Sequence, residues 1–311
     1  MFKVHLPHFL LNTSVQMTFK QLFKYVPSNP IFFKILPGVV SVFEPISEVV
    51  YVCDIDKVDI NKNLSGEWVS RRKKKIKEDK VVLYLHGGGF ITCSPATHRI
   101  ITSCLSKYTG RKVFVVDYTK APDRRYPTQI EECVEAYRYL LSKGYKGCDI
   151  AIAGDSAGGN LALTTALKIM QDIPDEKPAC VVAMSPWTDL TINGSSINYN
   201  KNNDKMIPAA RMFECRAMYT GFVDEDDYKK PLVSPAFADF DGYPPTLVHV
   251  GDTEVLLSDA KFLNKNAKAQ GVDITLKIWK GAGHVFQMWA VFSKDSRKSL
   301  HEIATFMKKH W

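Results

Sequence analysis

The sequence predicts an α/β fold, with a mostly parallel central sheet and helices on both faces. Three observations carry this. From about residue 80 onward, short apolar runs rich in β-branched residues alternate with longer stretches of helical character. Two of those runs end abruptly in glycine-rich turns, at His86-Gly87-Gly88-Gly89 and at Gly154-Asp155-Ser156-Ala157-Gly158. A chain of 311 residues with 45% hydrophobic content can also bury one large core.

Taken in order, residues 1–43 are rich in Phe, Leu and Val, but Lys3, Lys20, Lys24, Lys34 and several prolines interrupt them. No run of about 18 apolar residues occurs there, so no membrane-spanning helix is expected. Nor is there the compact apolar core and small-residue cleavage site of a signal peptide. An amphipathic helix on a membrane surface is the competing reading. Residues 66–70 read as a strand paired antiparallel with the strand that opens at Lys80, and the basic run from Arg71 to Lys75 as the solvated tip of that hairpin. Further strands are expected near Val81 and at 113–116, 150–153, 181–183, 246–250 and 274–279. Helices are expected at 129–143, 160–171, 258–270 and 299–309. The stretch 191–233 breaks the rhythm, first asparagine-rich and polar, then helical over 208–219. The chain thus divides into an N-terminal segment (1–48), a first core part (49–190), an insertion (191–233) and a second core part (234–311).

Charge and cysteine usage narrow the function. Much of the net charge of +8 is local, in Arg71 to Lys75 with Lys77 and Lys80. A nuclear-localisation or polyanion patch is the other reading of that run. No nucleic-acid-binding motif accompanies it, so no nucleic-acid partner is expected. Seven cysteines at scattered positions form no C-x-x-C pair and no metal-ligand spacing. Reduced thiols in a cytoplasmic protein, without a metal or cofactor, are the expectation. Cys93, just past the glycine loop, is placed to line a site there. The sequons at Asn12, Asn63 and Asn193 mean little without a secretory signal.

The chemistry concentrates in three segments. Strand, Gly-x-Ser-x-Gly turn and helix are the context of a nucleophile elbow, which points to Ser156. The strand at 80–85 runs into three consecutive glycines, whose backbone N–H groups can build an oxyanion hole; Gly88 and Gly89 are the candidates, with Ala157 after the serine as a further donor. A base must then follow the serine. Among the eight histidines, His249 lies in a strand-like run, His301 in a helical pattern and His310 at the chain end, whereas His284 stands in the loop Gly281-Ala282-Gly283-His284 after a strand. An acid is needed to fix the imidazole tautomer. Asp252 and Glu254 both follow the strand at 246–250, and spacing does not separate them; Asp259 falls within the next helix and reads as a cap or surface residue.

These residues resemble the hormone-sensitive-lipase-like branch of the α/β-hydrolases, which includes acetyl-ester hydrolases and carboxylesterases. The resemblance runs from about Leu83 to Phe292 and rests on His86-Gly87-Gly88-Gly89-Phe90, Gly154-Asp155-Ser156-Ala157-Gly158-Gly159-Asn160, Ser185-Pro186-Trp187-Thr188-Asp189-Leu190, Ser234-Pro235, Pro244-Pro245 and the His284 loop. It implies an α/β-hydrolase fold with a helical cap, formed by the N-terminal segment together with the insertion. It also selects the acid, because Glu254 stands three residues after Gly251 and two before Leu256. Aspartate is commoner there, and glutamate is a known variant. The segment Asp117-Tyr118-Thr119-Lys120-Ala121-Pro122-Asp123 departs from the family pattern and bears on the stability of the glycine loop. Implied further are a serine carboxylesterase acting on short-chain, acetyl-like esters through an acyl-enzyme, and a monomer or homodimer. The alternatives are a membrane-associated lipid or amide hydrolase and a non-catalytic small-ligand receptor of the same fold.

Overall fold

The computed structural model describes residues 53–72 and 75–311. The N-terminal part of the expected cap, and Lys73 and Lys74 of the basic run, lie outside the described residues. The chain opens with β1 (Cys53–Asp59), β2 (Ser65–Arg71) and β3 (Lys77–Leu85), then α1 (Arg99–Thr109), β4 (Arg111–Asp117), α2 (Thr128–Ser142), β5 (Ile150–Asp155) and α3 (Ala157–Asp172). After β6 (Cys180–Met184), the irregular stretch holds α4 (Ser195–Tyr199) and α5 (Ala209–Thr220). The core closes with β7 (Thr246–Gly251), α6 (Leu257–Ala269), β8 (Ile274–Trp279) and α7 (Lys294–His310).

The strands form one eight-stranded sheet in the order β1-β2-β4-β3-β5-β6-β7-β8. Every pairing from β4 to β8 is parallel. The near-continuous apolar strands follow from burial on both faces. In β3, Val81, Leu83 and Leu85 face one layer, with Ile130 of α2, Leu161 of α3 and Leu263 of α6. Val82 and Tyr84 face the other, with Ile101 and Leu105 of α1 and Leu300 and Ile303 of α7. Truncating any one of these buried leucines to alanine would cost roughly 2–5 kcal/mol.

The hairpin expectation is corrected. β2 pairs antiparallel with β1 and with β4, not with β3. β3 is a central strand whose two edges are taken by β4 and β5. The basic run is therefore a crossover between non-adjacent strands, and its Arg72 pairs with Asp54 on β1 at 2.8 Å. Gly66 admits β2 beside β4, since a Cβ there would meet the Phe114 ring at 2.7 Å. Chain proximity suggested the hairpin, but hydrophobicity decided the placement: the all-apolar half of β3 belongs in the middle of the sheet. Among the described residues, no helix is long and apolar enough to cross a membrane.

Candidate active site

In a parallel sheet, side chains for a site come from the carboxyl ends of strands, and here β3, β5, β6, β7 and β8 all deliver into one crevice. Ser156 sits between β5 and α3 with φ of 55°, a left-handed conformation that costs energy for a serine. The turn tolerates nothing larger than glycine at its flanks. A Cβ on Gly154 would lie 2.1 Å from the Gly158 carbonyl oxygen, and one on Gly158 would lie 2.0 Å from that of Leu85. The elbow thus packs directly on the end of β3, and strain lifts the serine hydroxyl out of the sheet.

His284 reaches this hydroxyl from the loop after β8. Its Nε2 is 2.9 Å from Ser156 Oγ, and its Nδ1 is 2.9 Å from Glu254 Oε2. Glu254 is fully buried, His284 nearly so, and Ser156 partly exposed. The second carboxylate oxygen of Glu254 accepts the Ser185 hydroxyl at 2.7 Å and the Gly251 N–H at 2.5 Å. Ser185 in turn accepts the Val285 N–H at 3.1 Å. Both Ser185 (φ 48°) and Val285 (φ 45°) are held in the left-handed region, so one hydroxyl braces the acid and the histidine loop together. Asp252, the other candidate acid, points elsewhere: its Oδ1 accepts the Gly281 N–H at 2.7 Å and ties down the loop that carries His284.

The glycine loop lies alongside the elbow because β3 and β5 are neighbours. Asp155, the residue before the serine, is buried and gathers three donors: Tyr84 Oη at 2.6 Å, the Gly87 N–H at 3.1 Å and His98 Nε2 at 3.2 Å. It couples loop to elbow from inside. From outside, Tyr118 stacks on the His86 ring at 4.3 Å and donates its hydroxyl to the His86 carbonyl, while the Ala121 N–H bonds the Phe90 carbonyl. Among the described residues, the N–H groups of Gly88, Gly89 and Ala157 donate to no protein acceptor. Gly88 (φ 119°) and Gly89 (φ 62°) hold conformations that side-chain-bearing residues rarely adopt.

A family model described as alpha/beta hydrolase fold matches residues 82–288. An esterase of Acinetobacter venetianus is 35% identical over 243 residues, 78% of this chain and 79% of that protein. An acetyl-hydrolase of Streptomyces hygroscopicus is 33% identical over 78% of this chain and 79% of its own. The crystal structure of an esterase from the bacterial hormone-sensitive lipase family superposes with a TM-score of 0.87 at 31% identity, covering 99% of both chains. The chain belongs to the hormone-sensitive-lipase-like branch of the α/β-hydrolases. The sequence resemblance to this branch and its fold are thereby established.

Electrostatics separates the histidines of the hydrolase. Burial alone would depress the His284 imidazole, but the hydrogen bond and charge of Glu254, with Asp204 and Asp155 adding, hold it above its ordinary value. Burial and the charge of Lys120 push His86 well below its ordinary value, so it stays neutral. Burial and Lys277 push His249 down to about 3. Burial drives the thiol of Cys93 up to about 12, which disfavours it as a nucleophile.

One expectation about this region is corrected. Asp259 is neither a cap nor a surface residue; it is buried, and its Oδ2 accepts the N–H groups of Thr188 (3.2 Å) and Asp189 (3.1 Å). The first turn of α6 faces the loop after β6, so the carboxyl meets backbone donors there rather than water. Burial and neighbouring Asp189 raise its pKa well above the carboxylate range. Sequence reasoning also passed over Asp155 and Ser185 as parts of the site. Asp155 carried a usable signal, a lone carboxylate closing a fully apolar strand.

Proposed function

We propose that the chain is a serine carboxylesterase that hydrolyses short-chain, acetyl-like esters through an acyl-enzyme on Ser156. The observation that carries this reading is the continuous chain of contacts from Ser156 Oγ to His284 to buried Glu254, set at a strained elbow beside unpaired backbone donors. His284 takes the Ser156 proton as the oxygen attacks the ester carbonyl carbon. Glu254 keeps the imidazole proton on Nδ1, leaving Nε2 free to accept, and then stabilises the imidazolium. The N–H groups of Gly88, Gly89 and Ala157 receive the oxyanion. The tetrahedral intermediate collapses, the ester C–O bond breaks, and His284 protonates the leaving alcohol. Water, deprotonated by the same imidazole, then attacks the acyl carbon and frees the acid and Ser156.

Two observations support a short acyl group. One relative is named an acetyl-hydrolase. The insertion also presses on the glycine loop, because a Cβ on Gly89 would meet Cys215 Sγ of α5 at 3.3 Å, which leaves little room beside the oxyanion site. On p-nitrophenyl acetate, butyrate and laurate, kcat/KM should fall as the chain lengthens. A preference for laurate over acetate would contradict the reading.

A further inference from the structure

The insertion between β6 and β7 is tied by hydrogen bonds to the turn that carries Glu254. Three of its polar side chains are buried and all grip one short stretch of backbone, residues 252–258, which carries Glu254. The Asn200 side-chain amide donates to the carbonyls of Asp252 (2.9 Å) and Glu254 (2.8 Å). Asp204 Oδ2 accepts the Val255 N–H at 2.9 Å, while its Oδ1 accepts the N–H groups of Met206 and Ile207, both at 2.9 Å. The Ser196 hydroxyl donates to the Val255 carbonyl and accepts the Ser258 N–H at 2.9 Å. Ser196 and Asp204 are fully buried and Asn200 is 3% exposed.

Five of these contacts engage backbone groups of the turn, at Asp252, Glu254, Val255 and Ser258; of these, the Glu254 carbonyl also accepts the Leu257 N–H at 3.3 Å. An unpaired buried backbone group is costly, on the order of 1–3 kcal/mol. The turn has bonds of its own, from the Glu254 N–H to Gly251 and from the Leu257 N–H to Glu254, and the insertion supplies the partners that these leave out. We infer that Ser196, Asn200 and Asp204 are positioning residues, a strap that fixes the turn after β7 so that the Glu254 carboxylate meets His284 Nδ1. This rests on the proposed role of Glu254. It also implies that residues 196–204 stay in place during turnover, and that any opening of the crevice is confined to other parts of the insertion.

The carboxylates that raise the proton affinity of the His284 ring are Glu254, Asp204 and Asp155, so a loosened strap has a reading in the pH profile. The test compares Asn200→Ala and Asp204→Asn with wild type in kcat, KM and the acid limb of kcat/KM on p-nitrophenyl acetate. Asn202→Ala, at an exposed side chain of the same segment, is the control. Both strap variants should lose about 10- to 100-fold in kcat with little change in KM, as expected for sub-ångström misplacement of a catalytic group, and their acid limb should move to lower pH. In a Glu254→Gln background Asn200→Ala should add almost nothing, because residues acting through one group are not additive. If Asn200→Ala fails to fold, Asp204→Asn carries the test, since its amide oxygen can still accept one of the N–H groups. A lowered melting temperature with wild-type kcat and acid limb would overturn the strap, and so would full additivity with Glu254→Gln. Wild-type kcat in Glu254→Gln alone would instead remove the role of Glu254, and the strap with it.

Discussion

Ser156→Ala is expected to lower kcat on p-nitrophenyl acetate by roughly four to six orders of magnitude, as removal of an activated serine does elsewhere. At 1.36 kcal/mol per tenfold change this corresponds to about 5–8 kcal/mol of transition-state stabilisation. The size of the effect follows from the geometry. With no Oγ at residue 156, His284 Nε2 has no proton to take and the carbonyl carbon has no protein nucleophile. The unpaired N–H groups of Gly88, Gly89 and Ala157 would remain, so slow attack by water should leave residual turnover. Alanine inherits the same left-handed backbone at φ 55°, so the melting temperature should barely move. Turnover within tenfold of wild type in a folded Ser156→Ala enzyme would refute the nucleophile assignment.

Glu254→Gln should cost about 10,000-fold in kcat, for a reason specific to hydrogen-bond direction. The inner oxygen of Glu254 is held by the Ser185 hydroxyl and the Gly251 N–H, both donors. A glutamine must keep its carbonyl oxygen there, which turns its NH₂ toward His284 Nδ1. The imidazole then carries its proton on Nε2, facing Ser156, and cannot act as base. The pH profile should shift as well. Glu254 supplies the leading contributions that offset burial and keep the His284 pKa above its ordinary value. Without them the imidazole loses its proton at lower pH, so the acid limb of kcat/KM moves down. Asp252→Asn keeps an oxygen for the Gly281 N–H and should lose far less activity. A larger loss in Asp252→Asn than in Glu254→Gln would exchange the two roles.

How much of this was legible in the sequence depended on whether the signal was local. The strands β3 to β7 could be read because burial on both faces demands apolar runs, and the elbow because its steric needs are written within five residues. The pairing of β2 could not, since adjacency along the chain says nothing about which edge of β3 is free; the closeness of Gly66 to the Phe114 ring exists only once β2 and β4 are side by side. Asp252 and Glu254 had equal standing by spacing, and the donors that orient Glu254 come from Ser185 and Gly251. The bracket of Asp155 to His98 spans 57 residues, and the grip of Asn200 on the Glu254 carbonyl spans 54. Polar residues of this kind look like solvated loop until folding removes the water around them. Asp259 was misread for the same reason.

Mass spectrometry of the enzyme quenched during turnover of p-nitrophenyl acetate, followed by peptide mapping, tests whether Ser156 carries the acyl group. One acetyl group, carried on Ser156, is expected to accumulate in the wild type and to be absent from Ser156→Ala. An acetyl group stably carried by another residue on the path to product, or fast turnover with Ser156 never modified, would contradict it.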